Sequence, residues 1–200
     1  MMSKKQTLII GNGQSRSPVD LKLLKDKFTT IGCNAICRDF DVDHLVCVDR
    51  RMVKEALEHK VQKIYTRQDW LKYFKGLDVQ SVPELPYKDS NRWDNPFHWG
   101  SGPYAVLLAA ELGAESCHLI GFDLQSTTTT VNNIYKGTQN YVDITHRPVD
   151  PKYWVKQNAK VYELFPDIQF IVYNDKDWIM PAEWQFDNVI KKEIKDLTVL

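Results

Sequence analysis

Thr7-Leu8-Ile9-Ile10-Gly11-Asn12-Gly13-Gln14-Ser15 runs from a short apolar segment into a turn bracketed by glycines. An apolar run of this length that stops at glycine reads as a strand followed by a tight turn. From Pro18 to Phe28 the apolar residues Val19, Leu21, Leu23, Leu24 and Phe28 recur at helical spacing, which predicts strand, glycine turn, helix. Further along, Cys33 to Cys37 and His44 to Val48 read as short strands, Arg51 to His59 as a helix and Val61 to Tyr65 as another apolar segment. The clearest unit comes next: Gly100-Ser101-Gly102-Pro103 opens a helix over Tyr104 to Leu112, Gly113 stops it, and the strand Cys117 to Phe122 follows. Pro151 to Phe165 reads as a helix, Gln169 to Tyr173 as a strand and Ala182 to Lys195 as an amphipathic tail. Short strands alternating with helices predict an α/β fold with a mostly parallel central sheet flanked by helices.

Two stretches break the pattern. Val79 to Trp99 holds three of the nine prolines and several aromatic residues, and reads as an irregular surface excursion, a candidate lid. After Asp123 a polar run containing Thr127 to Thr130 and Asn132-Asn133-Ile134-Tyr135-Lys136-Gly137 shows no periodicity until Pro151. A loop of more than about twenty residues in a compact domain is usually functional or mobile, so this too is a candidate lid.

At 200 residues, 43% apolar and 26% charged, the chain is expected to form one globular domain over residues 1–200. Its 26 basic and 26 acidic side chains cancel, so no net field draws it to nucleic acid or anionic lipid. The longest apolar runs, such as Ala105 to Leu112, are too short to span a bilayer. Met-Met-Ser-Lys-Lys-Gln leads straight into a strand and not into a signal-peptide apolar region, so the expected location is cytoplasmic. Cys33, Cys37, Cys47 and Cys117 fall in apolar segments with no second spaced pair or histidine ladder, and read as buried free thiols in preference to a zinc site. The segment Ala182 to Leu200 is left open as a self-association surface.

Five features carry chemistry. In Gly11 to Ser15, glycines let the backbone approach a ligand and the following turn aims amides at an anion, with Ser15 either touching phosphate or merely capping. No third glycine and no ribose-binding acid about twenty residues on completes a dinucleotide fingerprint, which argues against NAD. Gly100-Ser101-Gly102 before a helix is a second anion cradle, or a close-packing turn capped by Ser101. Asp39-Phe40-Asp41-Val42-Asp43 alternates acids as a divalent-cation site would, or simply solvates a turn. His146, in a polar loop, is a candidate general base. Tyr135 and Tyr141 offer phenols to a departing phosphate, or pin the loop through their rings. Trp93, Trp99 and Trp154 can stack on a base or sugar, or pack in the core.

Taken together, Ile9 to Ser15, Cys33-Asn34, Ser101-Gly102-Pro103-Tyr104-Ala105 through Leu119-Ile120-Gly121-Phe122-Asp123, and His146 resemble bacterial sialyltransferases that use CMP-sialic acid, and related phage and bacterial Rossmann-like glycosyltransferases. The resemblance covers most of the chain. It implies a Rossmann-like fold that binds a nucleotide-sugar: Gly11, Asn12, Gly13 and Ser15 by the phosphate, Asn34 beside the donor, Ser101 with Gly102 under the sugar or cytidine. It further implies His146 as general base towards an acceptor hydroxyl and Tyr135 at the leaving phosphate, with no metal and no cofactor. Two positions depart from the family pattern. The second tyrosine position is taken by non-aromatic residues near Gln125, and Asp49 stands where a neutral amide is expected, next to Arg50 and Arg51. The same strand and Ser-Gly-helix pattern is also similar to archaeal pterin pyrophosphokinases, which would need Mg²⁺ on acids such as Asp39, Asp41 or Asp123. A third reading is a non-catalytic nucleotide- or glycan-binding protein.

Overall fold

The computed structural model describes residues 6–87, 98–125 and 129–197. Eight strands, β1 Gln6–Ile10, β2 Thr29–Cys33, β3 His44–Val46, β4 Ile64–Thr66, β5 Val79–Ser81, β6 Ser116–Ile120, β7 Gln169–Asn174 and β8 Val189–Glu193, form one sheet in the order β5-β4-β3-β2-β1-β6-β7-β8. Every pairing in it is parallel. Among the described residues four α-helices cover the faces: α1 Arg50–Glu58, α2 Ser101–Glu111, α3 Lys152–Leu164 and the short α4 Ile194–Leu197. This is the Rossmann-like α/β architecture, with the expected mostly parallel sheet parallel throughout.

Alternation along each strand makes the two cores. In β1, Ile9 joins Ile31, Leu119 and Val172 beneath α2 and α3, while Leu8 and Ile10 join Leu45, Ile64 and Ile120 on the α1 side. Helix α2 is apolar almost all round, with Tyr104 through Ala110 buried, because it lies between the sheet and α3. Cys33, Cys47 and Cys117 are buried, Cys37 is half-buried, and all four are free. Burial pushes the Cys33 and Cys117 thiols up to about 12, which keeps them un-ionised.

Several elements differ from the sequence reading. The helix expected over Pro18 to Phe28 is replaced by a 3₁₀ turn at Leu21–Leu23, the second of two, after the one at Gln14–Arg16. Asp20 caps the second by accepting from the Lys22 N–H at 3.1 Å, and the turns still bury Val19, Leu21, Leu24 and Phe28. The strand expected at Cys33 to Cys37 lies earlier and ends at Cys33. Asn34 adopts φ 52°, which turns the chain into a 3₁₀ segment, Asn34–Arg38. Val79–Ser81 of the supposed excursion is edge strand β5. The amphipathic tail supplies the other edge strand, β8, whose Lys191, Lys192 and Glu193 give that edge the charge that discourages further pairing.

Two strand histidines, His44 in β3 and His118 in β6, are buried against tyrosines of the neighbouring strand. His44 Nδ1 lies 3.0 Å from the Tyr65 hydroxyl and His118 Nδ1 lies 3.0 Å from that of Tyr173. Burial, with a smaller push from Lys192, lowers His118 to about 4. The unfolded chain therefore takes up a proton between about pH 6.5 and 4 that the folded chain refuses, so stability is full above that window and falls with pH within it. Urea unfolding at pH 7 and pH 4.5 is expected to differ by about 2 kcal/mol more in wild type than in His118→Phe. Equal pH slopes for the two proteins would show that His118 does not set the window.

Candidate functional site

The chain leaves β1 towards β2 on one side, while β6 flanks β1 on the other, so the direction of the sheet order reverses between β1 and β6. In parallel sheets the loops at such a reversal splay apart at the carboxyl ends of the strands and leave a crevice. A cleft of 320 Å³ lies there, within the range of small-molecule sites. The β1 loop (Gly11, Asn12, Gly13), the end of β2 (Cys33, Asn34), Val48 after β3, the α2 start (Gly100 to Pro103), the β6 loop (Gly121 to Leu124), Asn132, Asn133, Trp154 and Asn158 enclose it.

Glycine is required here by backbone contact. The Gly11 N–H donates to the Ile120 carbonyl at 2.8 Å and the Gly13 N–H to the Gly121 carbonyl at 2.9 Å. A Cβ at Gly11 would stand 2.5 Å from the Gly121 oxygen, and Gly121 itself has φ 68°. Thus the two glycine loops are pressed together to form the cleft floor.

The first amides of a helix have no intrahelical partner. The eleven-residue α2 presents Ser101 and Gly102 to the cleft, and these amides with the helix dipole favour an anion. The Ser101 hydroxyl donates to Asn34 Oδ1 at 2.8 Å and accepts from the Val48 N–H at 3.2 Å. It therefore ties α2 to the ends of β2 and β3, and its backbone amide is what it offers to a ligand. Asn34 and Leu124, both lining the cleft, have φ 52° and 63°. Left-handed backbone at non-glycine residues concentrates at functional sites.

Asn12 is oriented by its own amide nitrogen, which donates to the Cys33 carbonyl at 3.3 Å and to the Tyr141 hydroxyl at 3.0 Å. Its Oδ1 is buried without a partner among the described residues and suits a ligand hydroxyl or amine better than a phosphate oxygen.

Of the residues singled out from the sequence, Gly11, Asn12, Gly13, Asn34, Ser101 and Gly102 converge on this cleft. Three do not. Ser15 sits behind the wall, its N–H donating to Asp123 Oδ2 at 2.9 Å and its hydroxyl to Asp123 Oδ1, so it fastens the β1 loop to the β6 loop. Tyr135, expected at a leaving phosphate, is buried on the α1 side, where its hydroxyl donates to Asp39 and accepts from Arg16 at 2.9 Å. Burial and the Asp39 carboxylate drive that phenol far up, so it is locked as a neutral donor. His146 is exposed and outside the cleft wall. Its carbonyl accepts from the N–H of Val131 at 2.8 Å, which ties it to the residue preceding Asn132 of the cleft lining.

The candidate metal acids diverge. Asp39 bonds Tyr135, Asp41 pairs with Lys25 at 2.8 Å and Asp43 accepts from the Thr30 N–H at 2.8 Å. Asp123 holds Ser15. Asp49 caps α1: burial alone would raise its carboxyl, but hydrogen bonds from Arg51 side chain and backbone hold it below the usual value.

The long loop after β6 is anchored over its middle. Ile134 N–H donates to the Asn12 carbonyl at 2.9 Å and Gln14 N–H to Asn132 Oδ1 at 2.8 Å. Arg38 donates to Thr138 Oγ1 and the Gln139 carbonyl, both at 2.7 Å, and also clasps Glu55, which accepts from Asn140 at 2.8 Å. Within the candidate lids, Trp93 and Thr127 lie outside the described residues. Among the other tryptophans, Trp99 is fully buried and Trp154 lines the cleft. Sequence reading missed Asn158. The only signal was a polar residue four positions after Trp154 on the buried face of a helix.

Sheet, switch point and loop cleft define a Rossmann-like α/β protein with its ligand crevice at the carboxyl edge. No family model matches the sequence, and no curated protein matches it. Solved structures do. The monofunctional alpha-2,3-sialyltransferase Cst-I from Campylobacter jejuni superposes with TM-score 0.62 at 15% identity, over 93% of this chain and 81% of that one. CstII from Campylobacter jejuni in complex with cytidine-5'-monophosphate gives 0.54 at 15%, over 84% and 79%. CstII in complex with a trisaccharide acceptor and CMP gives 0.52 at 16%, over 84% and 80%. The fold is thus that of the Campylobacter sialyltransferases. Among the described residues no helix is long and apolar enough to cross a membrane.

Proposed function

We propose that the protein is an inverting glycosyltransferase that moves a sugar from a nucleotide-sugar, of the CMP-sugar type, to an acceptor hydroxyl. The observation that carries this reading is the cleft at the sheet's switch point, with the α2 amides of Ser101 and Gly102 facing it, on a fold shared with sialyltransferases solved with CMP. Gly11, Asn12, Gly13 and Asn34 complete the donor wall. His146, whose carbonyl is bonded by the N–H of Val131, the residue before Asn132 of the cleft lining, takes the acceptor proton. The acceptor oxygen then bonds to the anomeric carbon as its bond to the nucleotide phosphate breaks, and the departing negative charge is met by the α2 amides. The reaction needs no divalent ion. In support, Asp39, Asp41 and Asp43 are committed to separate partners and Asp123 to Ser15.

A thermal-shift series with CMP, UDP, GDP, ATP and their sugar conjugates, each with Mg²⁺ and with EDTA, tests this. The expected result is stabilisation by CMP in EDTA, by about 3 kcal/mol at a hundredfold excess over Kd. Stabilisation by ATP only with Mg²⁺ would replace the proposal with a diphosphotransferase. CMP binding without transfer to any of a panel of acceptors would leave a binding protein.

A further inference from the structure

Helix α3 lines the cleft beside the start of α2, and it contributes Trp154 and, one turn on, Asn158. Trp154 is half-buried, with its indole edge held against Gly100: a Cβ there would lie 2.9 Å from Nε1. Asn158 is 0% exposed. Its amide nitrogen donates to the Trp154 carbonyl at 3.0 Å, and this bond fixes which way the amide faces. Its Oδ1 is then buried with no partner among the described residues. An amide oxygen left dry and unbonded is costly, and a ligand donor removes that cost.

The two helices therefore give the cleft different chemistry. The α2 start supplies backbone amides, which suit a phosphate or carboxylate. The adjoining α3 supplies a flat aromatic side chain and a fixed acceptor, which suit the face and edge of a heteroaromatic base. We propose that α3 holds the base of the donor nucleotide, and that Asn158 Oδ1 accepts a hydrogen bond from an exocyclic amine on that base. Asn158 is then a specificity residue: cytosine presents an N–H at this edge, whereas uracil presents a carbonyl oxygen that would face the Asn158 oxygen. This rests on the nucleotide-sugar reading above and adds the means by which the base is chosen.

The test is calorimetric titration of the intact protein with three probes: CMP, UMP and 2-pyrimidinone riboside 5'-monophosphate, which keeps the ring but lacks the amine. Wild type is expected to bind CMP about tenfold or more tighter than either of the others. Asn158→Leu is expected to bring the three affinities within about twofold, chiefly by weakening CMP. Asn158→Gln and the amine-free probe on wild type cover the case in which the leucine variant does not fold. Two results would overturn the inference while leaving the nucleotide reading in place: equal binding of CMP and the amine-free probe to wild type, or undiminished discrimination in a folded Asn158 variant. A buried water satisfying Oδ1 would give the second. Failure of all three probes to bind wild type would overturn both.

Discussion

His146→Ala is expected to lower the rate of sugar transfer by about 10²–10⁴-fold while leaving CMP-induced stabilisation unchanged. The separation follows from where the residue sits. His146 makes its rim contacts through the backbone, its N–H donating to the Asp143 carbonyl at 3.0 Å and its carbonyl accepting from Val131 at 2.8 Å. Alanine keeps both, so the loop should hold its place. The imidazole is exposed and lies outside the cleft wall, so donor binding does not depend on it. Wild-type turnover by His146→Ala, or a fall in rate matched by an equal loss of CMP binding, would remove the base assignment.

Gly13→Ala is expected to destabilise the protein by about 3 kcal/mol or more, a fall of roughly 10 °C in Tm, and to abolish stabilisation by CMP. The added methyl would stand 2.4 Å from Asp123 Cγ and 2.5 and 2.6 Å from its oxygens. That carboxylate cannot swing aside cheaply. It is buried, it accepts from the Ser15 N–H and hydroxyl, and Asn174 Nδ2 reaches it at 3.4 Å. Displacing it strands a buried charge and prises the β1 loop from the β6 loop, which together make the cleft floor. Gly102→Ala is the contrast, because its Cβ meets only the Phe122 ring, at 3.3 Å, and should cost little stability. Thermal melts of both variants with and without CMP decide the matter. A Gly13→Ala protein as stable as Gly102→Ala would show that the glycine is not held by this contact.

Much of the fold was legible because hydrophobic periodicity reports local contacts. The apolar runs at Leu8, Leu119 and Phe170, and the helices at Met52, Ala105 and Val155, stand where the spacing puts them. Periodicity failed where a side chain competes for the backbone. Asp20 caps a 3₁₀ turn in place of the expected helix, and Asn34 turns left-handed to end β2. It also failed for β8, where Val189-Ile190-Lys191-Lys192-Glu193 reads as part of an amphipathic tail because an edge strand is only half-buried. In the site, the glycines and Asn12, Asn34 and Ser101 were visible as loop residues at strand and helix ends. Asn158 was not, because an asparagine inside a helical run looks like any polar surface residue until the packing of α2 on α3 buries it.

By itself the sequence determined an α/β protein with a parallel sheet, a neutral surface and two glycine loops suited to an anion. Tertiary structure alone decided what those loops do. Strand order places β6 beside β1 and so brings Asp123 to Ser15 across 108 positions, converting an expected phosphate contact into a brace. It likewise carries Arg16 to Tyr135 across 119 positions, taking that phenol away from the cleft. Contacts of such separation depend on which strands are neighbours, and spacing along the chain carries no information about that.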